Sequence, residues 1–253
     1  MINRMYSFVI PAYNESQRLA PTLDKVLAHV AERGWNAEIL VVNDGSKDNT
    51  ADIIRDYAAR YPIVRLIENP GNRGKGYAVR NGMLHASGDI LLMTDADLSS
   101  PITEASKLFA AIENGADIAI GSRWINPSLQ TVRQPWYRQL GGRVFNLVIR
   151  IILGLRQKDT QCGFKAFTRA AAQTLFPLQQ IDRWGFDPEL LFIAKKFQMK
   201  IAEIGVEWAH DDRSKINPLR DGFRIVNDAI QVRKNAWAGK YGTAHRTTAV
   251  ARS

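Results

Sequence analysis

The chain has 253 residues, 45% hydrophobic and 23% charged, with 34 Lys+Arg against 25 Asp+Glu for a net charge of +9. That composition suits one α/β domain with a full core and excludes a disordered chain or a collagen-like repeat; a lone cysteine, Cys162, excludes a disulfide scaffold. The charge excess points to an anionic partner, whether nucleic acid, a membrane surface or a phosphorylated substrate.

Residues 5–10 are an apolar run ended by Pro11 and read as a strand. Apolar spacing from 16 to 33 predicts a helix closed by Gly34. Ile39–Val42 is a second strand, ending at Asn43-Asp44-Gly45, with Ser46 as the N-cap of a helix over 47–61. A third strand at 63–68 stops at Asn69-Pro70-Gly71, and a helix over 75–86 leads to a fourth strand at 90–94. A helix at 102–114 and a strand at 117–120 complete the regular part. Strands alternating with helices of 10–15 residues predict a mostly parallel sheet with helices on both faces. Ligands of such sheets bind beyond the carboxyl ends of the strands.

The charge is unevenly spread. Residues 1–126 hold 13 Lys+Arg and 15 Asp+Glu, whereas 127–253 hold 21 and 10. The positive charge therefore serves a task in the second half. Residues 136–155 are strongly apolar but carry Arg138, Arg143 and Arg150. As a helix, the two later arginines share a face and Leu140, Val144, Leu147, Val148, Ile151 and Ile152 occupy an opposite arc. Trp136 and Tyr137 suit a water–lipid boundary. The alternatives are a membrane-surface helix and a buried helix with snorkelling arginines. No run of about 18 apolar residues is found, and no apolar stretch follows the N-terminus, so the expectation is a cytoplasmic protein, peripheral at a membrane. The tail after 236 reads as loose.

The post-strand segments carry the chemistry. In Thr94-Asp95-Ala96-Asp97 an extended backbone would point both carboxylates to one side, and their repulsion is relieved by Mg²⁺ or Mn²⁺ shared with substrate phosphates. Asp44 can accept from a base or a ribose, or form an Asx turn. Gly71–Gly76, with Lys75, is a glycine-rich loop entering a helix, where N–H groups favour phosphate. It is neither a Walker loop nor a Rossmann fingerprint, because Gly76 replaces Ser/Thr and Val79 stands where the last glycine belongs.

Together Val9–Glu15, Val41–Ser46, Gly71–Gly76 and Asp95-Ala96-Asp97 resemble family 2 glycosyltransferases, inverting enzymes of GT-A fold, over residues 5–125. The resemblance implies that Pro11, Ala12, Tyr13, Glu15 and Asp44 hold the nucleoside, that Asp95 contacts the donor, and that Asp97 holds the metal on its diphosphate. Lys158–Phe167, Trp184–Leu191 and Glu207-Trp208 with Ser214-Lys215 extend it to the dolichyl-phosphate β-glucosyltransferase group, over about 5–236. Two departures are Arg213, where the group has Gly, and Leu98-Ser99-Ser100-Pro101 after the acidic pair, a prokaryotic form that brings undecaprenyl phosphate into consideration.

The implied reaction is inverting, metal-dependent transfer of glucose from UDP-glucose to a polyprenyl phosphate. The alternatives are GDP-mannose or a UDP-N-acetylhexosamine as donor, or a sugar hydroxyl as acceptor. A lipid phosphate is already anionic and needs cations more than a base. Arg123, Arg138, Lys165, Arg213 and Lys215 are the acceptor-side candidates. Asp187 is the candidate base, and Glu189 orients a neighbour. Arg220, Arg224, Arg233 and Lys234 add attraction to anionic lipid. His210 is a minor metal-ligand candidate. Nucleic acid is disfavoured, since no binding motif is present.

Overall fold

The computed structural model describes residues 4–132, 136–209 and 218–242. A seven-stranded sheet forms its centre: β1 (Met5–Ala12), β2 (Asn36–Asn43), β3 (Val64–Glu68), β4 (Ile90–Met93), β5 (Ile118–Ser122), β7 (Lys165–Thr168) and β8 (Ile201–Gly205). Its order is β3-β2-β1-β4-β7-β5-β8. All pairings are parallel except those of β7, which runs antiparallel to both β4 and β5. β7 thus puts the basic half of the sequence inside the sheet of the near-neutral half. A short sheet pairs β6 (Gln130–Val132) with β9 (Trp208–Ala209).

The period of two in the strands splits the core into two layers. Tyr6, Phe8, Ile10, Ile39 and Val41 face a cluster with Leu19, Leu23 and Val26 of α1 (Leu19–Arg33) and Leu108 and Phe109 of α4 (Ala105–Glu113). Val9, Leu40 and Val42 face the other cluster. There they meet α3 (Lys75–His85), α5 (Trp136–Leu153), α6 (Arg169–Leu175), α7 (Phe186–Lys196) and α8 (Pro218–Trp237). Gly34 closes α1 in the left-handed conformation, as the sequence suggests.

Four expectations are corrected. β1 does not stop at Pro11: Pro11 and Ala12 still pair with Val42 and Asn43. Ser46 does not cap the next helix. That helix, α2 (Thr50–Arg60), starts four residues later, and the Ser46 hydroxyl accepts from the Asn14 N–H at 3.0 Å. The chain also stays packed as far as Tyr241, which is fully buried, while 243–253 lie outside the described residues. Finally, α5 buries a different face from the expected arc: Leu140, Val144, Leu147 and Ile151 of that arc are exposed and Ile152 only packs on the core cluster, whereas the fully buried residues, Ile149 and Leu153, lie outside it.

Candidate active site

β1, β2 and β4 are parallel neighbours, so their carboxyl ends bring Tyr13, Asp44 and Asp95 to one edge of the sheet. The turn after β1 is held by the loop after β2. Asn14 takes φ of +53°, and its side chain accepts from the Lys47 N–H at 2.8 Å. The Glu15 N–H donates to Thr50 Oγ1 at 2.8 Å and the Ser16 N–H to Asp48 Oδ2 at 3.2 Å. These contacts, with those from Thr50, lower the Asp48 pKa against the opposing effect of burial, from 3.8 to about 2. A carboxyl depressed on folding stabilises above its unfolded pKa and loses that contribution as pH falls through the folded value. Asp48→Asn is therefore expected to cost roughly 1–2 kcal/mol at pH 7. Urea titrations should show the wild-type and variant stabilities converging between pH 4 and 2; a constant gap would contradict the linkage.

Asp44 is buried and turned toward its own protein. Its Oδ1 accepts from Asn69 Nδ2 (2.8 Å) and the Arg73 N–H (3.0 Å), and its Oδ2 from the Gly74 N–H (2.8 Å). The carboxylate shapes the glycine-rich loop, as an elaborated turn. Gly45 is needed beneath it: φ is +68°, and a Cβ would come within 2.5 Å of the Gly71 backbone.

The acidic pair converges by a turn, not by extended backbone. β4 ends at Met93, Leu98 has φ of +46°, and the Leu98 N–H bonds Asp95 O at 3.1 Å. Asp95 Oδ1 lies 2.5 Å from Lys75 Nζ. Asp97 accepts from the Ser99 N–H at 2.9 Å and lies 3.8 Å from Arg18 Nη1. Burial and then the charge of Asp95 raise the Asp97 pKa. Burial opposes the charge of Lys75, yet Asp95, Asp187 and Asp97 raise its pKa. Lys75 is thus an ammonium set among three carboxylates, with the Trp184 ring centroid 5.1 Å from Nζ. Two hard-oxygen donors under like-charge strain fit a divalent cation whose other ligands come from a diphosphate. No third Asp, Glu, His or Cys joins them in a metal-sized cluster among the described residues.

Arg18 is a participant the sequence reading missed. Its Nε and Nη2 bond the two Glu15 oxygens at 2.7 and 2.8 Å, so Glu15 orients Arg18 toward Asp97. The signal was the spacing of three between Glu15 and Arg18 at the start of α1. Glycine spacing also links the two halves, since a Cβ at Gly163 would strike the Asp95 carboxylate.

On the acceptor side, Arg123 follows β5 and meets Asp159, which the sequence reading quoted without a role. Nε and Nη2 bond Asp159 at 2.7 and 2.8 Å. Burial disfavours the Arg123 charge, but Asp159 more than compensates and raises its pKa. Asp159 is held in turn by the Arg123 and Gln161 N–H groups, while its own N–H donates to Glu203. The guanidinium lies 5.5 and 5.6 Å from the Trp124 and Trp208 rings, in a pocket also lined by Gln130, Asn146 and Gln161.

Lys165 is not a ligand contact. It is fully buried in β7, where Nζ bonds Asp187 Oδ1 at 2.5 Å and Cys162 O. Asp187 starts α7, is itself buried, and is committed to this pair. Glu189 does orient neighbours, accepting the Gln180 and Ile181 N–H groups at 2.9 Å. Arg233 bonds Ile152 O at 2.6 Å and so staples α8 to α5. His210, Arg213 and Lys215 lie outside the described residues, as do the side chains of Trp136, Tyr137, Arg138 and Arg220.

The model of "Glycosyl transferase family 2" matches residues 7–176, most of the sheet and the whole acidic edge. The chain belongs to that family. It is a glycosyltransferase, and curated relatives extend the match into the second half. A Trichomonas vaginalis dolichyl-phosphate beta-glucosyltransferase is 43% identical, over 92% of this chain and 73% of its own. The human enzyme of the same name is 34% identical, over 94% of this chain and 78% of its own. Two solved GT-A structures share the family fold. Mycobacterium tuberculosis glucosyl-3-phosphoglycerate synthase, in complex with Mn²⁺ and UDP-glucose, has a TM-score of 0.62 at 19% identity, covering 98% of this chain and 83% of its own. Rubrobacter xylanophilus mannosyl-3-phosphoglycerate synthase has 0.66 at 17%, covering 97% and 78%.

Proposed function

We propose that this glycosyltransferase moves glucose, with inversion, from UDP-glucose to a polyprenyl phosphate, dolichyl phosphate in the first instance. The observation that carries the reading is the dolichyl-phosphate beta-glucosyltransferase relative, 43% identical over both halves of the chain. On the donor side, the Pro11–Glu15 turn and the loop shaped by Asp44 take the nucleoside. Lys75 faces the diphosphate, and Asp95 and Asp97 hold Mg²⁺ or Mn²⁺ against it. Such a cation neutralises the charge that grows on the departing diphosphate. Solved neighbours in complex with Mn²⁺ and UDP-glucose support this assignment.

On the acceptor side, Arg123 draws the lipid phosphate toward the sugar. Its pairing with Asp159 fixes the guanidinium plane, and the flanking indoles keep water away. The monophosphate is the nucleophile and arrives deprotonated, since its second pKa is near 6. Asp187 is therefore not asked to take a proton, in keeping with its ion pair to Lys165.

The lipid would be met at a membrane surface. Leu140, Val144, Leu147 and Ile151 (71% exposed) form one stripe on α5. Phe223, Ile230 and Trp237 (81% exposed), seven residues apart, form a second on α8, beside exposed Arg224 and Lys234. The two helices pack together, and the Phe145 and Phe223 rings meet with centroids 5.5 Å apart. No helix among the described residues is long and apolar enough to cross a membrane. Anionic vesicles carrying dolichyl phosphate should accept glucose from UDP-glucose, while soluble 3-phosphoglycerate should not. Ile151→Glu with Trp237→Glu should abolish vesicle co-sedimentation and lower the lipid reaction about tenfold or more, by roughly 1.5–3 kcal/mol per lost apolar side chain. Equal transfer to 3-phosphoglycerate, or unchanged sedimentation, would sink the respective part of the reading.

A further inference from the structure

The segment 179–185, between α6 and α7, roofs the start of α3. The Tyr77 N–H donates to Asp182 O and Gln179 Nε2 donates to Gly76 O, both at 2.9 Å. Arg80 bonds Gln179 O at 2.9 Å and is ion-paired with Asp182, its Nη2 3.0 Å from Oδ1. Contact is tight enough that a Cβ on Gly74 would come within 2.5 Å of Asp182 O, and one on Gly76 within 2.6 Å of Ile181 O. Trp184, the residue over the Lys75 ammonium, belongs to this segment. Where 179–185 sits therefore decides where the glycine-rich loop and Lys75 sit.

Both ends of the segment are held from α8 and the turn after it. At the first end, buried Glu189 accepts the Gln180 and Ile181 N–H groups and, as its third donor, the Tyr241 hydroxyl at 2.7 Å. Tyr241 is fully buried, and Asn235 Nδ2 donates to its oxygen at 3.3 Å. At the other end, the Asp228 carboxylate of α8 lies against the Gly185 backbone. Gly185 is glycine for this contact, because a Cβ would lie 2.5 Å from Asp228 Oδ2. An aromatic core position needs no hydroxyl, and a helix residue facing a loop needs no carboxylate. The hydroxyl is explained by the Glu189 carboxylate it bonds, and the Asp228 carboxylate by the Gly185 backbone and the Arg183 and Arg224 charges it faces.

We propose that Tyr241 and Asp228 are positioning residues for the donor side of the reaction: they clamp segment 179–185 and thereby set Lys75 and the glycine-rich loop. The inference rests on the donor reading above, in which Lys75 faces the diphosphate. It assigns α8 two faces, one outward with Phe223, Ile230 and Trp237, the other gripping the donor loop.

Tyr241→Phe and Asp228→Ala test it, with Asp228→Asn as the conservative rescue and Val232→Ala as a buried α8 control. Hydrogen exchange on the substrate-free protein should speed up at 179–185 and at Tyr77 in the first two variants, and stay at wild-type rates in the others. The KM for UDP-glucose should rise about tenfold, the loss of one buried hydrogen bond, while kcat and the acceptor KM move less than twofold. Val232→Ala should lower the Tm without raising the donor KM. Unchanged exchange in Tyr241→Phe, a donor KM that stays put, or a rise reproduced by Val232→Ala would each overturn the proposal. The exchange measurement uses no substrate, so its failure is separable from a failure of the donor reading.

Discussion

Asp97→Asn lowers glycosyl transfer about a thousandfold, the scale expected when charge stabilisation at the leaving group is removed, and leaves the fold intact. The side chain is oriented by the Ser99 N–H, a bond that Asn keeps through its own carbonyl oxygen. What Asn removes is the negative charge, already strained by burial and by Asp95. A divalent cation relieves that strain, so the variant should bind Mn²⁺ far more weakly in a calorimetric titration. Circular dichroism and Tm should match the wild type. Wild-type turnover in the variant, or in the parent protein with its metal chelated, would remove the acidic pair from the mechanism.

Lys165→Met destabilises the protein by about 3–5 kcal/mol, because it strands the Asp187 carboxylate in the interior. Lys165 and Asp187 are both buried, at the junction of β7 and α7, and no solvent replaces the lost ammonium. Adding Asp187→Leu should restore most of the loss, since a buried ion pair is often replaced by apolar residues at little cost. Chemical denaturation of the two single variants and the double variant measures the coupling. If Lys165→Met were as stable as the wild type, the pair would not hold the second half in the sheet. If the variant were stable and failed only in substrate affinity, Lys165 would be a ligand contact after all.

That pair shows where a single sequence stops being readable. The first five strands were legible because Ile39–Val42 and Ile90–Met93 are uninterrupted apolar runs with helical spacing between them. β7 was not, since it is four residues long and begins with a buried lysine, a residue that sequence patterning assigns to solvent. The reading of Lys165 as an acceptor contact followed from that assumption. The acidic pair was legible in identity but not in conformation, because the left-handed Leu98 behind the turn carries no sequence mark such as Gly or Asn. Asp159 was visible in its motif, yet its partner Arg123 lies 36 residues away, after the neighbouring strand β5. Long-range pairs of this kind, like Tyr241 with Glu189, become evident only once strand order is known. On α5, periodicity revealed an amphipathic helix but not which arc faces outward. Packing against α8 decided it, turning Ile149 and Leu153 inward and leaving Ile151 at the surface.

In the proposed reaction a hexose passes from a nucleoside diphosphate to the phosphate of a lipid. The most direct measurement is the structure of the product made from UDP-glucose and a short polyprenyl phosphate, by mass spectrometry with proton NMR of the anomeric centre. The expected product is a lipid carrying one phosphate and one hexose, with the large anomeric coupling of a β linkage. A lipid diphosphate, an α linkage, or glucose found only on a soluble acceptor would contradict it.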